Sequence, residues 1–503
     1  MIFDVGDTYF ADFTGVVFIN FYGADVMKDL ALLMDFYELT MANSYFEQGR
    51  QEEIAYFDYF FRRVPDKGGY AIFAGLEQFV EYVLSLRFDE AHIDFLRRKN
   101  MFSEGFLQYL RDFSFSGDIV AFAEGTVVFP SEPLVSVRAP IIECQLIETF
   151  LLLSLNHQSL IATKAARIVK EAGGKRVLEF GSRRAHGGDA AIYGARAAYI
   201  GGVNGSSNTA SEFKFGMPAS GTMAHAFVQS YDSEYEAFLA YAKSYPEQTV
   251  LLVDTYNTLK QGVPNAIRVH QEYLKPNGYA LQAIRLDSGD LAYLSQRARV
   301  MLDEAGMQET KIVVSNGLDE YLIKDLMSQD AQIDVFGVGE RLITARSEPV
   351  FGGVYKIVAL ENQGQVVPKI KISENVLKTT TPGYKQVYRL YDENHRAIAD
   401  LITLQDEVVD GSKPYLLFDP EHPYKQKEIC NFTAEALLKP VILKGEKVAD
   451  LPSLTEIRTH AQQSLAAMWP EVLRLENPHG YYVDLSQKLW QLKRDLIEQN
   501  TKL

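Results

Sequence analysis

The chain has 503 residues, 47% of them apolar and 23% charged, with a formal net charge of −16. That length predicts two or three domains, and the composition is that of a folded globular protein. The acidic balance excludes the basic face of a nucleic-acid binder. Two cysteines, Cys144 and Cys430, supply neither a disulfide framework nor a cysteine zinc site, and a reducing cytoplasm is the expected compartment. No apolar run of about 18 residues marks a membrane span.

Residues 1–26 hold four Asp and no Lys or Arg, so they lack the positive start of a secretory signal. They read as an extension, with Met27 as the expected natural start. An amphipathic helix is expected over 30–47, a strand over 53–61 and a helix over 75–86. Strands over 117–140 are broken by Gly125 and Pro130, and a long apolar helix is expected over 140–155.

From about residue 175 the pattern becomes regular. Short apolar runs recur at 177–180, 198–202, 249–253, 280–286, 311–314, 333–338 and 354–358. Most are separated by segments of helical period, such as 232–242 and 291–305. This alternation predicts parallel strands with crossover helices, and seven such strands favour a closed α/β barrel over an open sheet. Further strands are expected at 366–372, 384–391 and 408–415. Helices are expected at 455–469, stopped by Pro470, and at 484–499.

Polar residues cluster where the strands end: Arg183, Asn208, Asp254-Thr255, Arg285-Leu286-Asp287, Ser315-Asn316-Gly317 and Gly337-Val338-Gly339. Ligand groups of an α/β barrel collect at the C-terminal strand ends, where the loops converge. Arg285-Leu286-Asp287-Ser288-Gly289-Asp290 can hold an anion and a polyol or Mg²⁺ together, although Asp-Ser-Gly-Asp is also good turn chemistry. Gly181-Ser182-Arg183-Arg184 follows an apolar strand, and arginine binds planar anions through two parallel bonds. His225 stands at a predicted helix start, where an imidazole can accept a proton or a phosphoryl group; a lone helical histidine is more often structural. Gly337-Val338-Gly339 is a weak phosphate-loop signal, and Glu340 beside it is electrostatically unexpected. Tyr37 reads first as a core aromatic on a helix face.

These signals occur in one order on one scaffold. With Phe36-Tyr37-Glu38-Leu39-Thr40-Met41, Glu179-Phe180-Gly181-Ser182-Arg183-Arg184-Ala185, Gly205-Ser206-Ser207-Asn208-Thr209, Gly221-Thr222-Met223-Ala224-His225, Val253-Asp254-Thr255-Tyr256 and Gly352-Gly353-Val354-Tyr355-Lys356, the chain resembles the nicotinate phosphoribosyltransferases over about residues 28–440. The resemblance implies an irregular seven-stranded α/β barrel of the type II phosphoribosyltransferase kind with a discontinuous α+β sandwich domain. Residues 27–140 and 361–450 are expected to form the sandwich, 141–360 the barrel and 451–503 C-terminal helices.

It also implies an ATP-coupled ligase that joins nicotinate to phosphoribosyl pyrophosphate (PRPP) in NAD salvage, through a phosphohistidine. By carry-over the histidine is His225, oriented by Asp254. Asp287 meets the ribose hydroxyls directly or through Mg²⁺. Phe180 stacks on the nicotinate ring from one side, and Tyr37 from the partner subunit of a homodimer on the other. Arg183, Arg285 and Thr222 lie by the anionic groups, and Gly317, Gly337 and Gly339 face the 5′-phosphate. Asn208, where nicotinamide-specific relatives place Asp, favours the acid over the amide. Nicotinamide phosphoribosyltransferase, quinolinate phosphoribosyltransferase and a non-catalytic phosphosugar-binding protein are the competing readings. Lys356, Lys371 and Lys378 have no assigned role, and Cys430 alone cannot form the zinc knuckle of some relatives.

Overall fold

The computed structural model describes residues 29–374 and 378–501; the expected extension, 1–26, lies outside them. Five parallel strands form one sheet in the order Arg176–Glu179, Val335–Val338, Lys311–Ser315, Ala283–Leu286, Val250–Leu252. Single-residue parallel bridges extend it beyond Arg176–Glu179, from Glu179 to Ser206 and from Ser206 to Ala219. The strand interiors (Val177, Leu251, Leu252, Ile284, Ile312, Val314 and Phe336) are buried, as expected of parallel strands covered on both faces.

Two of the seven expected barrel strands differ. The run 198–202 is not a strand: it closes the helix Gly188–Ile200. The stretch is rich in alanine, the best helix former. Its small residues seat it against the long helix Glu148–Glu171; a Cβ on Gly201 would fall 2.3 Å from the Ala162 carbonyl. Ser206 takes the position in the sheet instead. The run 354–358 is a strand, Gly353–Asn362, but it pairs antiparallel with Ile54–Phe61 in another sheet.

That second sheet has seven strands, ordered Gln365–Pro368, Gly353–Asn362, Ile54–Phe61, Val135–Pro140, Asp118–Ala121, Lys439–Leu443, Glu446–Lys447. It joins pieces from both sides of the parallel sheet in sequence. A third sheet carries Thr433–Ala436, Lys385–Tyr391, Ala397–Leu404 and Val483–Leu485. The expected strand 408–415 is not formed; Ala397–Leu404 and Tyr415–Phe418 take its place. The helix expected over 30–47 is shorter, Phe36–Glu47. The helix expected over 140–155 is two, Ile141–Leu146 and Glu148–Glu171, parted at Ile147. Helices Glu234–Ser244, Leu291–Glu304, Leu454–Ala467 and Gln487–Thr501 stand close to where the periodicity puts them. Among the described residues no helix is long and apolar enough to cross a membrane.

Candidate active site

The polar residues converge at the C-terminal ends of the parallel strands. Arg285 leaves the strand Ala283–Leu286 with its guanidinium held on three sides. Nε donates to Ser315 Oγ at 2.9 Å, Nη1 to Thr222 Oγ1 at 3.1 Å and Nη2 to Asp287 Oδ1 at 2.9 Å. Its carbon Cζ lies 5.5 Å from the centroid of the Phe180 ring. The Ser315 hydroxyl also donates to Asp287 Oδ1. A planar cation, a carboxylate and two hydroxyls from three loops thus form one rigid unit.

Asp254 supports that unit from below. Its Oδ2 accepts from the Asp287 backbone N–H at 2.8 Å and from Ser288 Oγ at 2.6 Å. The side chain is buried, yet Oδ1 has no hydrogen-bond partner among the described residues. His225 faces this oxygen. It opens the helix His225–Gln229 after the extended residue Ala224. Its Nδ1 lies 3.1 Å from Thr255 Oγ1. Its Nε2 lies 3.7 Å from Asp287 Oδ2 and 4.0 Å from Asp254 Oδ1, and the ring is 40% exposed. The hydrogen bond that orients the ring therefore runs to Thr255, while Asp254 and Asp287 stand on the Nε2 side, beyond hydrogen-bond length. The Thr255 hydroxyl can accept from Nδ1–H, which leaves the lone pair on Nε2, or donate to Nδ1, which leaves Nε2–H toward the two carboxylates.

Phe180 follows the first parallel strand, its N–H bonded to the Val338 carbonyl at 2.7 Å. Gly337 lies inside the strand ladder, paired with Leu178 and Ser315, and a Cβ there would fall 2.5 Å from Phe180 Cδ2. Its lack of a side chain makes room for the ring. Beneath Phe180, Glu179 accepts from Ser206 Oγ at 2.6 Å and from the Gly181 N–H. Burial holds its carboxyl above the usual range, opposed by those two hydrogen bonds. Asn208 caps the helix Thr209–Phe215, its Oδ1 accepting from Ser211 N–H at 3.2 Å.

Gly317 follows Asn316, with φ of 62° and 87°, and nothing stands within 4 Å of a Cβ at Gly317. Both residues take left-handed backbone, and the open space at Gly317 leaves its backbone accessible to a ligand. Gly339 caps the short helix Glu340–Ile343. Glu340 pairs with Arg346 at 3.1 Å. Arg183 is exposed and makes no ion pair among the described residues.

Tyr37 is not part of this cluster in its own chain. It is half-exposed on the helix Phe36–Glu47 near Glu148, while Lys356 Nζ pairs with Glu148 Oε1 at 3.5 Å. Lys371 and Lys378 are exposed. Thr255, Ser288, Ser315 and Glu179 hold the site residues; each stands inside one of the strand-end motifs, yet the sequence assigns none of them a role.

Three family models match in succession: the nicotinate phosphoribosyltransferase N-terminal domain over residues 32–156, the nicotinate phosphoribosyltransferase family over 176–396 and its C-terminal domain over 384–493. The chain belongs to the nicotinate phosphoribosyltransferase family. It is 46% identical to the nicotinate phosphoribosyltransferase of Bacillus subtilis, over 93% of this chain and 96% of that one. The crystal structure of human nicotinic acid phosphoribosyltransferase matches with a TM-score of 0.83 at 31% identity, covering 92% of this chain and 99% of that chain. A nicotinate-nucleotide pyrophosphorylase structure from Pyrococcus furiosus matches with a TM-score of 0.68 at 26% identity, over 89% and 98% of the two chains. The family's α/β fold with its parallel sheet is thus shared along nearly the whole chain, and the strand-end cluster around His225 lies inside the central family match.

Proposed function

We propose that the chain is a nicotinate phosphoribosyltransferase that makes nicotinate mononucleotide from nicotinate and PRPP, driven by ATP hydrolysis through His225. The observation that carries the coupling step is the histidine's setting. Its Nδ1 is matched to Thr255, and Nε2 faces the open site beside Asp254 and Asp287. A neutral imidazole with its lone pair on Nε2 is a competent nucleophile. Nε2 attacks the γ-phosphorus of ATP; the N–P bond forms as the P–O bond to ADP breaks. Water later cleaves the N–P bond and releases phosphate.

In the transfer itself the nicotinate ring nitrogen attacks C1 of PRPP, and the C1–O bond to pyrophosphate breaks. Asp287 stabilises the positive charge that develops on the ribosyl carbon and binds the ribose hydroxyls. Phe180 stacks on the nicotinate ring; Tyr37 of the partner subunit closes the other side of a homodimeric site. Arg183, which holds no carboxylate among the described residues, and Arg285 serve the anionic groups, with Thr222 beside Arg285. Gly317 and Gly339 offer N–H groups to the 5′-phosphate, and Gly337 shapes the ring pocket. Asn208 keeps a carboxylate out of the nicotinate pocket. Asp254 Oδ1 and Asp287 Oδ2 are hard oxygen donors that fit Mg²⁺, and the buried Oδ1 lacks any other partner among the described residues. When bound, Mg²⁺ neutralises phosphate charge beside these carboxylates.

The barrel reading is supported by the strand order. The five strands and the bridges at Ser206 and Ala219 make seven parallel positions; in this reading the Ala219 segment lies beside Val250–Leu252 and closes the ring. Residues 27–140 and 361–450 act as one sandwich domain around the barrel, a reading that the shared antiparallel sheet supports. The two free cysteines suit the cytoplasm. The test is mononucleotide formation from PRPP with nicotinate, nicotinamide or quinolinate, with and without ATP. Product from nicotinate, raised by ATP, is expected. Product from nicotinamide alone overturns the assignment of Asn208, and no product from any base points to a non-catalytic binding protein.

A further inference from the structure

Two turns lie side by side at the ends of adjacent parallel strands. Lys311–Ser315 and Val335–Val338 are paired in register, Val313 with Val335 and Ser315 with Gly337. The first turn, Asn316-Gly317, leads into Asp319 and the helix Glu320–Ser328; the second, Gly339, leads directly into Glu340–Ile343. The carboxylate of Asp319 does two things. Its Oδ1 caps its own helix, accepting from the Leu322 N–H at 2.9 Å, and its Oδ2 holds Nη1 of Arg341 from the other helix.

The two helices are anchored very differently. Glu320 is fully buried and pairs with Lys164 at 2.8 Å and Arg167 at 3.3 Å on the long helix Glu148–Glu171. The turn before it is thereby fixed to the body of the molecule. The second helix has four residues, too few to hold its shape by its own hydrogen bonds. Leu342 and Ile343 bury its apolar side. On its polar side the Glu340–Arg346 pair is local, so Arg341 is its ionic tie to the Glu320 helix.

We propose that the Asp319–Arg341 pair is a positioning clamp, which transmits the anchored position of the Gly317 turn to the Gly339 turn and so sets the spacing of the two N–H groups that receive one phosphate monoester. This inference rests on the phosphoribosyltransferase reading and names the part of the substrate it serves: the 5′-phosphate of PRPP. Donors on separate loops recognise a phosphate only when their relative placement is held to a fraction of an ångström. Because Asp319 occupies the Arg341 guanidinium, Arg341 acts through the turn rather than as a phosphate ligand.

The test is steady-state kinetics of Arg341→Gln, Asp319→Asn, the double variant and Arg341→Lys, against wild type. Asparagine keeps the helix cap and removes the ion pair. Each single loss raises KM for PRPP about tenfold, with kcat and KM for nicotinate within about twofold. The double variant is no worse than the worse single, because both remove one interaction. Arg341→Lys recovers most of the loss by restoring a cation, which separates a positioning effect from general unfolding. Wild-type turnover with an unchanged KM for PRPP in Asp319→Asn overturns the clamp alone. So does a lowered KM there with a raised one in Arg341→Gln, since Arg341 then binds phosphate itself. A wild-type protein without nicotinate-dependent turnover overturns the functional reading and this inference with it.

Discussion

In the third sheet, Arg389 and Asp400 are both buried and hold each other through two hydrogen bonds of 2.8 and 2.6 Å. Arg196, equally buried, is met by Glu124 at 3.0 and 2.8 Å, by Glu77 at 2.7 Å and by Gln158 at 2.9 Å. At the ends of the parallel strands the same kinds of group are treated otherwise. Among the described residues, Asp254 is buried with one oxygen unmatched, His225 is open with Nε2 beyond hydrogen-bond length of its two carboxylates, and Arg183 has no anion to hold. A buried charge without a partner is costly, so scaffolds pair their charges closely. The strand ends hold in reserve interactions that a bound anion and its cation can satisfy, whereas single unmatched atoms in the scaffold, such as Arg196 Nε, Glu132 Oε1 and Glu320 Oε2, belong to side chains whose other atoms are already paired.

The comparison breaks if the two sets respond alike to mutation. Asp400→Ala, which takes the paired carboxylate from the buried Arg389 and leaves it the Val127 carbonyl, is expected to cost about 3–5 kcal/mol of stability by urea unfolding. Asp254→Asn keeps an oxygen for the Asp287 and Ser288 donors and is expected to cost less than about 1 kcal/mol while kcat falls steeply. Equal destabilisation by the two would erase the distinction between scaffold and site.

Asn208→Asp sharpens it further. Aspartate caps a helix as well as asparagine does, so stability is expected to hold. A carboxylate about 4 Å from that of nicotinate costs about 4 kcal/mol at an effective dielectric of about 20, roughly a thousandfold in affinity. The kcat/KM ratio of nicotinamide to nicotinate should rise accordingly, and an unchanged ratio removes Asn208 from the base pocket. Gly337→Ala pushes a methyl into the Phe180 ring, an overpacking cost of about 1–3 kcal/mol. The rise is expected in KM for nicotinate; a rise confined to PRPP would return Gly337 to a phosphate role.

The smallest effect concerns the helix that carries Tyr37. Glu38 is buried at its first turn, and burial pushes the carboxyl up to about 7, with the Thr149 hydroxyl opposing. The folded chain thus binds this proton more tightly than the unfolded chain does. The stability it contributes is complete below the ordinary carboxylate range and is lost as pH rises through about 7. Glu38→Gln is expected to flatten that slope, seen as a Tm about 2–4 °C above wild type at alkaline pH; parallel pH profiles would contradict it.

The strands Val250–Leu252, Ala283–Leu286, Lys311–Ser315 and Val335–Val338 are legible in the sequence because each lies in a short, largely apolar run closed by polar residues or glycine. The run 198–202 is not, because a buried apolar run of that length has no period that separates helix from strand. Gly353–Asn362 reads correctly as a strand and wrongly as a barrel member, since its partner Ile54–Phe61 lies about three hundred residues earlier and nothing local names it. In the site, the motif residues are legible as ionisable or glycine positions. Their supports are not: Thr255, Ser288 and Ser315 are ordinary hydroxyls until folding brings them to His225, Asp254 and Arg285.

The most direct measurement of the central claim is the position and amount of phosphate on the protein after brief incubation with ATP and Mg²⁺, read by mass spectrometry under alkaline conditions that spare phosphohistidine. Phosphate on His225, lost in His225→Ala together with the stimulation of nicotinate mononucleotide synthesis by ATP, is the predicted result. An unmodified His225 in an enzyme that ATP still stimulates, or full stimulation retained by His225→Ala, would contradict the account.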